Sequence, residues 1–178
     1  MKWIVLLRGV NVGGKGKLPM NELREKMMAR DFCETVATYI QSGNILLDSA
    51  LSDADEVATS VQSVIEEEFG FVPHILALSV AELERAADGN PYKEAESTPK
   101  YLHLYFLEEQ PAEPDLNRLE GKKAAAESFT LGDKVFYLHA PDGIGRSKLA
   151  ADVERALGVA ATARNWKSVS KLLEMSSQ

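Results

Sequence analysis

The run Trp3-Ile4-Val5-Leu6-Leu7 is apolar at every position and stops abruptly at Arg8. It has no polar alternation, so it predicts a central strand covered on both faces rather than an edge strand. The stretch after it is opposite in character. Gly9 to Lys17 holds four glycines and two lysines, Lys15 and Lys17, which makes a cationic loop with unusual backbone freedom. Pro19 suits the first turn of a helix. Met20, Leu23 and Met27 fall on one face of that helix, which is expected to run to about Arg30.

The next segments complete a pattern. Glu34–Gln41 and Asn44–Asp48 have strand composition and are separated by Ser42-Gly43, a two-residue hairpin signal. Ser52, with Asp55 three residues on, predicts a capped helix carrying Val57, Val61, Val64 and Ile65 to a stop at Gly70. His74–Leu78 is a further strand. The order β-α-β-β-α-β is that of a split βαβ, or ferredoxin-like, unit. If the first strand rises, its glycine loop, the Gln41–Asn44 hairpin and the turn after Gly70 all fall at the same end of the sheet.

The second half is read in the same way. Ser79 and Glu82 form a capping-box pair opening a short helix to Ala87, broken by Asp88-Gly89-Asn90-Pro91. Tyr101–Leu107 is a strong strand, Asp115 is expected to cap a helix to about Glu127, and Ser128–Leu131 and Lys134–His139 form a hairpin around Gly132-Asp133. Ser147 is expected to cap a helix with Leu149, Val153, Ala156 and Leu157 on one face, ending at Gly158. Thr162 is expected to cap a last helix, although a short strand near 159–161 is also allowed. The expected fold is therefore α+β: a ferredoxin-like subdomain over residues 1–87, a linker over 88–99, and a smaller α+β subdomain over 100–178 with two C-terminal helices.

Composition narrows the function classes. The net charge of -7 is segregated: residues 1–30 carry seven Lys/Arg against two Glu, giving +5, and residues 141–178 carry six Lys/Arg against four acids, giving +2. The segment between them carries the remaining -14, so a basic coat for non-specific nucleic-acid binding is excluded, while a local cationic pocket is not. Cys33 is the single cysteine, which excludes an internal disulfide framework and cysteine-cluster zinc sites. The short run ending at Arg8 is neither a signal sequence nor a membrane span, so a cytoplasmic protein with no membrane partner is expected.

Four phrases together carry a resemblance: L-R-G-V-N-V-G-G-K-G-K from Leu7, T-Y-I-Q-S-G-N-I-L-L from Thr38, G-I-G-R-S-K-L from Gly143, and T-A-R-N-W-K-S-V-S-K-L from Thr162. In this order they resemble the bacterial family known as domain of unknown function 1697. The matching positions are Arg8, Gly9, Asn11, Gly13, Gly14, Lys15, Gln41, Ser42, Gly43 and Asn44, followed by Gly145, Arg146, Ser147, Lys148, Arg164, Asn165 and Trp166. The resemblance implies a two-part α+β protein with a ferredoxin-like first part. It implies no particular activity or cofactor.

The candidate residues are those with the chemistry to hold an anion. Gly9–Lys15 spells G-x-x-x-x-G-K, but Gly16 stands where a P-loop places the Ser or Thr that binds magnesium, so a nucleotide triphosphatase of that class is not expected. A weaker phosphate site remains open, with backbone amides of Gly13 and Gly14 beside Arg8 and Lys15. The alternative is a plain solvated loop. Gln41, Ser42 and Asn44 can read a ligand's donors and acceptors or can simply make a turn. Arg146, Ser147 and Lys148 open a helix whose N-terminus favours an anion. Arg164 and Asn165 lie outside the apolar stripe of Trp166, Val169 and Leu172. His74, His103 and His139 lie in strands without an evident catalytic partner, and no metal-binding motif is present. The expected function is binding of a phosphate-bearing ligand, a nucleotide or a short single-stranded nucleic acid, with Arg8, Lys15, Arg146 and Arg164 neutralising phosphate. Asn11, Gln41, Asn44 and Asn165 would orient that ligand. An enzyme acting on a phosphorylated small molecule and a protein–protein interaction module are the alternatives.

Overall fold

In the computed structural model, which describes Met1–Gln178, strand β1 (Lys2–Arg8) is buried at every residue from Trp3 to Leu7. The unbroken apolar run is the cause, since both faces of the strand must leave water. Trp3, Val5 and Leu7 pack on one face against Met20, Leu23 and Met27 of α1 (Met20–Met28) and Val57, Val61, Val64 and Ile65 of α2 (Ala54–Phe69). Each such side chain, fully removed from water, contributes on the order of 1.5–3 kcal/mol before entropy is counted. Strands β2 (Cys33–Tyr39), β3 (Asn44–Ser49) and β4 (His74–Ser79) complete an antiparallel sheet in the order β2-β3-β1-β4.

The chain forms two compact units, Met1–Glu84 with Lys171–Gln178, and Arg85–Ser170. The second unit holds β5 (Leu102–Leu107), α4 (Leu116–Lys122), β6 (Ser128–Leu131), β7 (Val135–His139), α5 (Val153–Leu157) and β8 (Ala161–Asn165). Its sheet is also antiparallel, in the order β6-β7-β5-β8. The core gathers Tyr105, Leu107, Leu119, Phe136, Leu138, Val153 and Leu157. Phe136 stacks on Phe129 at 5.6 Å and meets Tyr105 edge-on at 5.7 Å. Each unit's last strand runs directly into a helix, α3 (Val80–Asp88) after β4 and α6 (Trp166–Ser176) after β8. The fold is thus mixed α+β, with two four-stranded antiparallel sheets and six helices. Residues 88–99, expected as a linker, hold the end of α3 and the short helical turn Lys93–Ser97, within the second unit.

Several expected boundaries move, each for a local physical reason. The first hairpin has a four-residue loop, not two, because Tyr39 pairs with Asn44 and Ile40 turns to φ 51°. The cap of α2 is Asp53 rather than Ser52; one carboxylate oxygen accepts from both Asp55 and Glu56 N–H at 3.0 Å. Helix α4 stops at Lys122, where Lys123 leaves helical geometry, and does not reach Glu127. The largest correction is at Thr162. It caps no helix, but is buried in β8, which pairs with β5 from His103–Asn165 to Leu107–Ala161. The second half therefore reads β-α-β-β-α-β before its final helix. The predicted box of Ser79 and Glu82 forms, with the Glu82 carboxylate accepting from Ser79 N–H at 2.8 Å and from its hydroxyl at 2.7 Å.

Candidate functional site

The glycine loop of the first unit is an ordered structure. Lys15 N–H donates to Val12 C=O at 3.0 Å around Gly13-Gly14, whose φ values of 58° and 74° are those of a type I′ turn. Only glycine takes both positions without steric cost, so the turn explains the pair. Asn11 N–H donates to Gly16 C=O at 2.9 Å and closes the base. The Asn11 side chain then clasps two segments. Its Nδ2 donates to Leu18 C=O at 2.8 Å and to Gln41 C=O at 2.7 Å, and its Oδ1 accepts from Leu18 N–H at 2.8 Å.

That clasp brings the glycine loop and the Ile40–Gly43 hairpin together at one end of the sheet, as strand order alone requires. Gly43 sits so close to β1 that a Cβ there would lie 2.6 Å from Leu7 Cβ and 2.9 Å from Val10 Cγ2. Asn44 is fully buried, and its Nδ2 donates to Tyr39 C=O at 3.1 Å and Ser42 Oγ at 2.9 Å. Asn11 and Asn44 therefore spend side-chain donors on the fold. Arg8, Lys15, Lys17, Gln41 and Ser42 are exposed at the same end.

The second unit contains a cleft of about 550 Å³, lined on one side by Gly121 and Lys122 at the end of α4 with Lys123, Ala124 and Glu127 after it, and on the other by Asp142, Gly143, Arg146, Ser147 and Lys148. Four cations face two acids. Lys122 is partly spent, with Nζ 3.2 Å from Asp152 Oδ1. Asp152 is also gripped by Arg118, whose Nη2 donates to Oδ1 at 2.9 Å and whose Nε bonds Oδ2. Hydrogen bonding from Arg118, helped by Lys122, holds the Asp152 carboxyl down to about 2. Lys123, Arg146 and Lys148 have no ion pair or hydrogen bond at their head groups, so these three cations are available to a ligand.

A direct bond joins the two walls. Ser147 Oγ donates to Glu127 Oε2, while Glu127 Oε1 accepts from Ala124 N–H at 2.8 Å. Ser147 Oγ also accepts from Ala150 N–H at 3.0 Å, so the expected capping contact forms. The expected helix does not begin there, however. Residues 144–149 are turns, Ala150–Asp152 is a short 3-10 segment, and α5 is five residues long. Gly143 and Gly145 interrupt helical periodicity, and side-chain charge rather than a helix dipole must supply any affinity for anions here.

Arg164 and Asn165 do not line this cleft. Asn165 Oδ1 accepts from Ser168 N–H at 3.0 Å and caps α6, three residues later than the cap expected at Thr162. Arg164 lies on β8, opposite Leu104 in register; its Nη1 donates to Ala163 C=O at 2.8 Å and burial lowers its pKa to about 10. Lys122, Lys123 and Glu127 are site residues that sequence reasoning missed. In G-K-K-A-A-A-E they look like a continuing helix, whereas Lys122 ends α4 and the break at Lys123 sets the path of the residues that follow, Glu127 among them.

The family described as "Protein of unknown function (DUF1697)" matches over residues 1–137. Among solved structures, the conserved bacterial protein SP0830 from Streptococcus pneumoniae superposes with a TM-score of 0.74 at 23% identity, covering 98% of this chain and 97% of that one. At that identity the likeness speaks for the fold. No curated protein matches the chain. No helix is long and apolar enough to cross a membrane.

Proposed function

Because the chain belongs to the DUF1697 family, whose description assigns no function, we propose from geometry alone that it binds a phosphate-bearing ligand of nucleotide size in the second-unit cleft. The observation that carries this reading is a cleft of about 550 Å³ with Lys123, Arg146 and Lys148 on its walls and their head groups unengaged. That volume lies in the range of small-molecule sites. Three cations in a concave wall concentrate negative charge better than the same three on a convex surface. Gly143, Ser147 and the Glu127 bond shape the wall, while Arg146 and Lys148 meet phosphate.

In the same reading, the exposed Arg8, Lys15, Gln41 and Ser42 form a second, shallower anion-facing surface on the first unit. Gly13 and Gly14 present it, and Asn11 and Asn44 hold it in shape. Arg164 and Asn165 act on the second unit's framework rather than on the ligand. The first sheet's order, with its two crossover helices, supports reading that unit as ferredoxin-like.

The test is calorimetric titration of a nucleoside monophosphate, a sugar phosphate and a short single-stranded oligonucleotide into the wild type and into Arg146→Ala/Lys148→Ala. A monophosphate that binds the wild type and loses at least about tenfold in the double variant supports the cleft, since charge-assisted bonds are worth roughly 1.5–3 kcal/mol each. Preference for the oligonucleotide with a steep salt dependence would move the ligand class to nucleic acid. No heat with any phosphate compound would refute the reading.

A further inference from the structure

Of the two acids that line the cleft, Asp142 is exposed, whereas Glu127 is one that a site for bare phosphate would not bury. Glu127 lines it with only 6% of its surface exposed. Both of its partners are neutral donors, Ala124 N–H on Oε1 and Ser147 Oγ on Oε2. A carboxylate accepts at about four lone-pair positions, so these two bonds fill half of its capacity. A buried carboxylate is costly when its remaining capacity is unused. Beside a phosphate subsite, it also repels the second charge of a polyanion. Ser147 cannot donate to a ligand, because its single hydrogen is given to Glu127, and one of its two lone pairs is taken by Ala150 N–H, which leaves Glu127 as the stronger acceptor.

Resting on the phosphate reading above, we infer that Glu127 is the specificity residue of the cleft, and that the ligand is a phosphate ester carrying a hydroxyl or amino donor, of the sugar-phosphate or nucleoside-phosphate class. Arg146, Lys148 and Lys123 take the phosphate. The open lone pairs of Glu127 accept from the ligand's hydroxyl or amine. A carboxylate is suited to this role because it only accepts, so it selects donors and rejects a second phosphate. Dinucleotide sites use an acidic side chain on the ribose hydroxyl for the same reason. The Ser147 bond fixes the carboxylate's orientation, and with it the spacing between the donor-reading group and the cations on the loop that carries Ser147.

The experiment compares ribose 5-phosphate with methyl phosphate and inorganic pyrophosphate, by calorimetry, on wild type, Glu127→Gln and Ser147→Ala. The expected wild-type result is ribose 5-phosphate bound about 10- to 100-fold more tightly than methyl phosphate, the span of one to two hydrogen bonds to a charged group, and pyrophosphate bound no better than methyl phosphate. The gap should close in Glu127→Gln, whose amide offers donors where the ligand brings its own. It should narrow without closing in Ser147→Ala, which keeps the carboxylate but releases the bond that orients it. Equal binding of the two esters by the wild type, or a gap that persists in a folded Glu127→Gln, overturns the inference while leaving the phosphate reading intact. Binding of none of the three overturns both. If Glu127→Gln fails to fold, the wild-type gap and its narrowing in Ser147→Ala decide: both together support the inference, and the absence of either overturns it.

Discussion

Replacing Asn11 with alanine tests whether the glycine loop is held by its side chain. The substitution removes two bonds to Leu18 and one to Gln41. The Leu18 pair is part-buried and belongs to a residue with no exposed surface, so losing both bonds leaves a buried N–H and C=O without those partners. At about 1 kcal/mol net per bond, they account for about 2 kcal/mol. The Gln41 bond is exposed, water replaces much of it, and it adds little. Asn11 also sits at φ 54°, which asparagine tolerates and alanine does not, for about 1 kcal/mol more. The expected loss for Asn11→Ala is therefore about 3 kcal/mol by urea unfolding. Asn11→Gly, which relieves the backbone but not the lost bonds, should lose about 2 kcal/mol. Amide exchange at Leu18 should accelerate in both variants. If both cost less than about 0.5 kcal/mol and Leu18 stays protected, the clasp does not hold the loop and Asn11 is free for a ligand after all.

Two further predictions concern stability. His103 is 8% exposed on β5, and burial lowers its pKa from 6.5 to about 4, so the folded state favours the neutral ring. The unfolded chain binds the extra proton between those values; this contribution is complete above pH 6.5, falls as pH drops toward 4, and amounts to about 3 kcal/mol. His103→Leu should flatten the stability profile within that window relative to wild type, and an unchanged slope there would refute the assignment. Ile40, β-branched, 51% exposed and at φ 51°, is strained with little burial in return. Ile40→Gly should raise the urea midpoint, by about 1 kcal/mol in stability, and a loss instead would mean that Ile40 packs against something in solution.

What the sequence reveals depends on how local the signal is. The apolar run of β1, the Met20-Leu23-Met27 face and the Ser79–Glu82 box are set by residues within a few positions of one another, and each forms as read. The shared end of the glycine loop and the first hairpin follows from strand order and the alternation of up and down elements. Strand β8 is not legible that way. Thr162-Ala163-Arg164-Asn165 has cap-forming residues at both ends, and the choice between strand and helix start is made by pairing with β5, some sixty residues earlier. The cap chemistry is still present, but Asn165 performs it. In the cleft, Arg146, Ser147 and Lys148 stand out as a glycine-flanked cationic phrase. Lys122, Lys123 and Glu127 do not, because the bend that gathers them is a tertiary choice written in an alanine-rich, helix-favouring string.

The two sheets share one strand order, and this sharpens where function is sought in each. Taking the first strand of each unit as rising, the loop after β1 and the β2–β3 hairpin lie at the upper end of the first sheet, where the glycine turn and the Asn11–Gln41 bond are found. The corresponding loop of the second unit, from Glu108 to Asp115, carries Glu108, Glu109, Glu113 and Asp115 instead of cations. The cleft is formed by the connections after α4 and after β7, which lie at the lower end of the second sheet, and there the Glu127–Ser147 bond joins loop to loop. A repeated topology has therefore not repeated the loop chemistry: the first unit's glycine loop, with Lys15 and Lys17, lies at the upper end of its sheet, and the second unit's cationic cleft lies at the lower end of its own. The same frame leaves both ends open to loop chemistry, because a sheet fixes where loops emerge and not what they carry. Equivalence of position between the two units is for that reason no guide to equivalence of role. Arg8 and Arg146, both cationic and both beside glycines, call for separate substitutions rather than one inferred from the other.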